Sequence, residues 1–246
     1  MIFEVKQDGR RKARLVAGGH MIDPMGTNSR LTVVKGISMR FLNLIAHCDS
    51  LQILCGNIVN AFITAPDCLE KVYSRAGPEF GDREESILVF KKALYGLRSS
   101  SRAFRGHFAD FLCGMGFSAC CYDRDVWLRE REERDGYNYI CTHVDNFKIV
   151  ARDPDRWKTR ISAVFLLKSI GPLAYCLGND YNFSVGENAW VVGCATCIKE
   201  CIRRIESEFD LHGDLWTHCT PLPELCHQSL TTVLFFRNWG SGVIKR

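Results

Sequence analysis

Apolar residues alternate with a period of two in some stretches of the chain and recur at helical spacing in others, and the two periods predict different elements. Ile2-Phe3-Glu4-Val5-Lys6 and residues 10–17 flank Gln7-Asp8-Gly9, predicting a β-hairpin whose second arm carries Arg10, Arg11, Lys12 and Arg14. Residues 21–33 read as a loop. Residues 34–46, with Ile37, Phe41, Leu44 and Ile45 at helical spacing, predict an amphipathic helix. A core strand follows over 51–58 with Asn57 near its C-terminal end, then shorter strands over 70–73 and 87–90. Residues 100–115 predict a long helix with Phe104, Phe108, Phe111 and Leu112 on one stripe. A strand is predicted over 123–128, and a strand, turn and strand over 138–150 with Asp145-Asn146 at the turn. A helix around 157–167, a strand pair at 174–178 and 189–192 joined across Gly186, and a helix over 195–209 follow. Beyond them Pro221 and Pro223 mark an irregular stretch up to Leu230. This order of elements predicts an α+β arrangement with helices packed on one face of a largely antiparallel sheet.

Composition narrows the class without deciding the chemistry. With 246 residues, 46% hydrophobic and 24% charged, the chain is globular material for one large domain or two small ones. A net charge of +4 leans only weakly toward polyanions, because a clustered basic face, not the total, carries phosphate binding. The basic arm therefore has two readings, a solvated strand face or a hairpin that neutralises phosphates. The Asp145 carboxylate also has two, a turn residue or a metal ligand.

The chain has 13 cysteines, no N-terminal apolar run of signal-peptide type and no segment long enough to span a bilayer. The expected setting is reducing and intracellular, cytoplasmic or nuclear, away from membranes. Cys194, Cys197 and Cys201 lie close together, with His212, His218, Cys219 and Cys226 downstream. A closed zinc site pairs its ligands around tight turns, whereas Cys197 and Cys201 are spaced one helical turn apart beside Ile198 and Ile202. Buried small hydrophobes are the favoured reading over zinc.

Several blocks, taken in order, resemble one family. They are residues 12–20 (Lys-Ala-Arg-Leu-Val-Ala-Gly-Gly-His), Asn60-Ala61-Phe62-Ile63, Ala76-Gly77-Pro78-Glu79-Phe80-Gly81 and Ala93-Leu94-Tyr95-Gly96-Leu97-Arg98-Ser99-Ser100. Asp125-Val126-Trp127, His143-Val144-Asp145-Asn146, Leu177-Gly178, Ile198-Lys199 and, more loosely, Gln228-Ser229-Leu230 complete the set. Their order and spacing resemble the reverse transcriptase domain of copia-type retrotransposons over nearly the whole chain. The resemblance implies a right-hand polymerase fold, with intermixed fingers and palm over residues 1–170 and the truncated start of a thumb or connection over 171–246. It also implies an RNA-directed DNA polymerase that takes a primer–template and dNTPs, with three palm carboxylates holding two Mg²⁺ ions. Lys12 and Arg14 would lie over the triphosphate, and Tyr95, Gly96, Arg98 and Ser99 would support nucleotide and template. With no protease, integrase or RNase H region in its length, the chain is expected to be a piece of a longer polyprotein.

The chain departs from this pattern at the catalytic positions. Asn57 stands where the family strand carries aspartate, and His143-Val144-Asp145-Asn146 where the family hairpin reads Tyr-Val-Asp-Asp. Only Asp145 remains of the three carboxylates. An asparagine offers a neutral carbonyl oxygen and an NH₂ donor that repels a cation. At about 2–4 kcal/mol of transition-state stabilisation per lost charge, the two losses together cost on the order of 10³-fold or more in rate. Mg²⁺ binding at Asp145 and nucleotidyl transfer are therefore expected to be impaired or absent. Phe104 in place of tryptophan, and cysteines at 194, 197 and 201, fit a decaying copy more than a new metal site. The alternative is a non-catalytic nucleic-acid-binding remnant of the same fold.

Overall fold

The computed structural model of the chain describes residues 2–5, 11–19, 33–65, 71–184, 186, 189–208 and 232–234. They form two compact units, Met1–Ile170 and Gly171–Arg246. His212, His218, Cys219, Cys226, Pro221, Pro223 and the block at 228–230 lie outside the described residues.

The first unit opens with the basic hairpin, β1 (Ile2–Val5) and β2 (Arg11–Arg14), paired antiparallel from Ile2 opposite Arg14 to Val5 opposite Arg11. Helix α1 (Gly36–Cys48) leads into β3 (Gln52–Ile58) and the single turn α2 (Ala61–Thr64). A second hairpin, β4 (Val72–Arg75) with β5 (Ile87–Phe90), precedes the long helix α3 (Ser100–Gly114). Short β6 (Ser118–Ala119), β7 (Val126–Glu130), β8 (Tyr137–His143) and β9 (Asn146–Ala151) then run into α4 (Pro154–Ser162) and β10 (Leu167–Pro172). The central sheet has the order β10-β3-β9-β8-β7-β6. It is antiparallel from β3 to β6, with β9, the second arm of the Asp145 hairpin, between β3 and β8.

Alternation along β9 sends successive side chains to opposite faces. Phe147 and Ile149 join Phe104, Phe108 and Leu112 of α3, Trp157 and Ile161 of α4, and Phe165 in one buried cluster. Lys148, between them, points the other way and donates to Asn43 Oδ1 and the Met39 carbonyl of α1. The helices thus cover both faces of the sheet, correcting the one-face arrangement predicted from element order. Strand-and-helix order does not encode on which side a crossing helix lands.

The stripe predicted for α1 is also displaced. Ile37 and Phe41 are 70% and 59% exposed, while Met39, Leu42, Asn43 and Ala46 are buried. Apolar residues lie on more than one face of this helix, so spacing alone cannot select the buried one. The Asn43–Lys148 bond and the Met39–Cys141 sulfur contact at 3.2 Å mark the face that docks. On α3, by contrast, Phe104, Phe108 and Leu112 are buried as predicted.

In the second unit β11 (Tyr175–Cys176), β12 (Asn179–Ser184), β13 (Ala189–Gly193) and β14 (Thr232–Leu234) form an antiparallel four-stranded sheet. Helix α5 (Ala195–Glu208) starts where the Thr196 N–H donates to Asp180 Oδ2 at 2.9 Å. Cys197 and Cys201 share a face of α5 and are both exposed, so they are not the buried hydrophobes predicted. Mutual proximity to Cys201 raises the Cys197 thiol pKa.

Candidate active site

β8 and β9 meet in a two-residue turn, Val144-Asp145, closed by the pair His143 and Asn146. Asn146 is therefore the first residue of β9, and the turn lies one position earlier than the predicted Asp145-Asn146 pair. Val144 takes φ +55°, a left-handed conformation that β-branched residues avoid and that costs on the order of 1–3 kcal/mol. Val144 packs against the main core cluster, and the Ile58 N–H donates to the Asp145 carbonyl at 2.7 Å. These contacts hold the turn against the end of β3.

The register of β3 on β9 sets Asn57 opposite Asn146. Asn57 Nδ2 donates to Asn146 Oδ1 at 3.2 Å, and Asn146 Nδ2 donates to Asp145 Oδ1 at 3.3 Å. The two amides relay hydrogen bonds into the one carboxylate, while Asn57 Oδ1 is buried without a hydrogen-bond partner. The structure brings together the three positions singled out on the chain.

Asp145 lines a cavity of about 360 Å³ together with Arg11, Lys12, Arg14, Tyr95, Asn60 and Lys168. Alternation on β2 half-buries Lys12 and Arg14 and leaves Arg11 and Ala13 exposed. Tyr95 packs its ring 4.7 Å from Phe62. Burial raises its pKa, the Asp145 carboxylate adds to this, and Arg14 opposes it. The phenol thus stays protonated and can donate.

The segment carrying Tyr95 is held by its backbone. The Ala17 N–H donates to the Tyr95 carbonyl at 2.8 Å. Gly96 has φ +92°, and a Cβ there would lie 2.1 Å from the Ala17 carbonyl oxygen. Gly19 faces the same crossing, where a Cβ would lie 2.0 Å from the Gly96 oxygen. These glycines let the chain after β2 cross the Tyr95 segment at backbone contact.

Arg98 and Ser99 lie outside the cavity lining. Arg98 is exposed, and Ser99 is buried at the start of α3, its carbonyl accepting from the Ala103 N–H at 2.9 Å. Lys168 is a cavity residue that the sequence did not single out, and Asn60 stood there only as part of a matching block. Asn60 takes the left-handed φ of +52° just after β3, a conformation asparagine tolerates. Lys168 comes from β10, which reaches the site only because it lies beside β3 in the sheet. Asp125, from another of the matching blocks, braces the hairpin. Its carboxylate accepts from Arg105 Nε of α3 at 2.7 Å, and its carbonyl from the Thr142 N–H of β8 at 2.9 Å.

A profile of the reverse transcriptase (RNA-dependent DNA polymerase) family matches residues 2–222. The chain belongs to this family. It is 30% identical over 177 residues to the "Retrovirus-related Pol polyprotein from transposon RE1" of Arabidopsis thaliana, covering 69% of the chain and 12% of that polyprotein. It is 29% identical over 177 residues to the corresponding polyprotein from transposon RE2 of the same plant, with the same coverage. The copia-type resemblance read from the motifs is thus borne out, and the matched region spans about an eighth of those relatives' length. No solved structure gives a significant match.

Reverse transcriptases use divalent metal ions to act on template–primer and nucleotides, and the ions hold and neutralise phosphate oxygens. The donor set at this reverse transcriptase hairpin does not suit an ion pair. Two of its three side chains are neutral amides, and the Asn146 NH₂ is turned toward the one carboxylate, where a cation would have to sit. Among the described residues, no three His, Cys, Asp or Glu side chains gather closely enough to hold a metal ion. None of the described helices is long and apolar enough to cross a membrane.

Proposed function

We propose that the chain is a degenerate reverse transcriptase domain of copia type, whose nucleotidyl transfer is lost or severely weakened. Residues 1–170 correspond to fingers and palm, and residues 171–246 to the start of a thumb or connection. The observation that carries this reading is the relay from Asn57 through Asn146 to Asp145, which leaves one carboxylate where the family places three. Asp145 is the remaining metal-binding position, and Asn57 and Asn146 stand where the other two ligands would be. Lys12, Arg14 and Tyr95 face the nucleotide, Gly96 sets the position of Tyr95, and Arg98 and Ser99 serve the template side from outside the cavity.

The cavity supports a second reading, a non-catalytic remnant that still binds nucleic acid. Four of its lining side chains are cationic, and contacts to phosphates need no catalytic metal. Primer extension on an RNA template with Mg²⁺ or Mn²⁺ tests the proposal, comparing the natural chain with Asn57→Asp/Asn146→Asp. The natural chain is expected to extend at least about 10³-fold more slowly than an intact site. Robust extension by the natural chain would overturn the proposal. Activity in the revertant alone supports a degenerate polymerase, and salt-sensitive primer–template binding without extension in either supports the remnant.

A further inference from the structure

We infer that Cys197 and Cys201 on α5 form a binding site for a soft monovalent metal ion, Cu(I), held between their two sulfurs. The site lies in the second unit and is independent of the Asp145 hairpin. Cys197 and Cys201 stand one helical turn apart and are both exposed, while Ile198 and Ile202 beside them are half-buried. Both sulfurs are therefore open to a ligand from one side of the helix. The Cys201 sulfur raises the Cys197 thiol pKa through its charge, with desolvation and a hydrogen bond between the two thiols adding to the effect. Two sulfurs near enough to share a hydrogen bond are within reach of one ion. Cys194, just before α5, acts on Cys197 more weakly than Cys201 does, which makes Cys201 the partner.

Geometry and softness select the occupant. A disulfide needs Cβ atoms about 3.5–4.5 Å apart, whereas residues one turn apart on a helix hold theirs about 5–6 Å apart. Oxidation therefore cannot close this pair without unwinding α5, but an ion placed between the sulfurs lengthens the bridge by a second bond. Thiolates select Cu(I), zinc and iron–sulfur clusters. Closed zinc sites and iron–sulfur clusters take four protein ligands, and among the described residues no three His, Cys, Asp or Glu side chains gather closely enough to hold an ion. Cu(I) is stable with two sulfurs in line. Binding converts two thiols and Cu(I) into a bis-thiolate complex of one negative charge and releases two protons. Cys197 is the third residue of α5, so the positive end of the helix dipole favours that charge, while Asp180, which accepts from the Thr196 N–H at 2.9 Å, opposes it.

Anaerobic titration of the reduced, metal-free 246-residue chain with Cu(I), in competition with the chromogenic chelator bicinchoninate, tests this. The chain is expected to withdraw copper from the chelator. Cys197→Ser and Cys201→Ser are each expected to weaken the tightest equivalent about a hundredfold or more, with an unchanged melting transition. Cys48→Ser and Cys113→Ser, which remove exposed cysteines from α1 and α3, should leave that equivalent intact, as should Cys194→Ser. Treatment with the thiol oxidant diamide should yield no Cys197–Cys201 disulfide in peptide mapping. Failure of the natural chain to withdraw any copper overturns the inference, whatever the variants do. An equal loss from Cys194→Ser overturns the pairing, and an equal loss from Cys48→Ser or Cys113→Ser overturns the site. A Cys197–Cys201 disulfide overturns the geometry, and an equivalent of Zn(II) held tightly by the natural chain and lost in Cys201→Ser overturns the choice of ion.

Discussion

Asn57, Asn146 and Asp145 turn a hairpin tip into a question of charge. Placing aspartate at both asparagine positions would set three carboxylates side by side at the end of β3 and the start of β9. Like charges held together without a counterion destabilise the fold. The Asn57→Asp/Asn146→Asp chain is therefore expected to melt at a lower temperature than the natural chain in EDTA and to regain stability with Mg²⁺. The natural chain should show little Mg²⁺ dependence in the same thermal scan. Gly96 offers a test of the scaffold beneath Tyr95. Gly96→Ala combines a left-handed φ with a Cβ 2.1 Å from the Ala17 oxygen, and is expected to cost at least about 1–3 kcal/mol in denaturant titration. The hairpin tip was readable on the chain, since Asp145 lies at a turn between two apolar runs. That Asn57 lies directly opposite Asn146 was not, because register between strands 89 residues apart leaves no local trace.

Among the elements, α1 depends most on partners distant in sequence. Asp123 sits at its N-terminus, where Oδ2 accepts from the Lys35 N–H at 2.9 Å and from the Ser38 hydroxyl at 2.6 Å. Burial pushes the Asp123 pKa up, but the Ser38, Lys35 and Asp125 donors and the Lys35 charge outweigh it, leaving the pKa below its ordinary value. A carboxyl with a depressed folded-state pKa adds stability that is present above its unfolded pKa, near 4, and is lost as pH falls through the lower folded value. Asp123→Asn is expected to cost about 1 kcal/mol at neutral pH and to flatten the stability profile below about pH 4, read by urea titration across pH. The inner face of α1 yields a less intuitive outcome. Asn43→Leu makes a buried position more apolar yet removes an acceptor from the buried Lys148 ammonium, and is expected to destabilise by about 1.5–3 kcal/mol. A helical period finds α1, but a helix with apolar residues on more than one side takes its buried face from what it meets. α3 was readable down to its stripe because its aromatic residues are confined to one side.

For the whole molecule, the distribution of charge matters more than the sum. A net charge of +4 over 246 residues is modest, yet among the described residues four cations and one carboxylate line the same cavity. Binding of a primer–template by this face is expected to weaken steeply with salt, with a slope of log affinity against log salt set by the number of phosphates contacted. Neutralising Lys12 and Arg14 together should reduce that slope by roughly two, measured by fluorescence anisotropy across a salt series. A solvated strand face making no phosphate contacts would leave the slope unchanged.

Local pattern and motif order were enough to place the family, the basic hairpin, the Asp145 hairpin and α3, because each is written in residues adjacent or regularly spaced along the chain. Helices on both faces of the sheet, the buried side of α1, and the meeting of Lys168 with the basic hairpin and Asp145 came only with folding. They depend on which strands lie side by side, and strand order is set by the burial of the shared core rather than by any short stretch of residues.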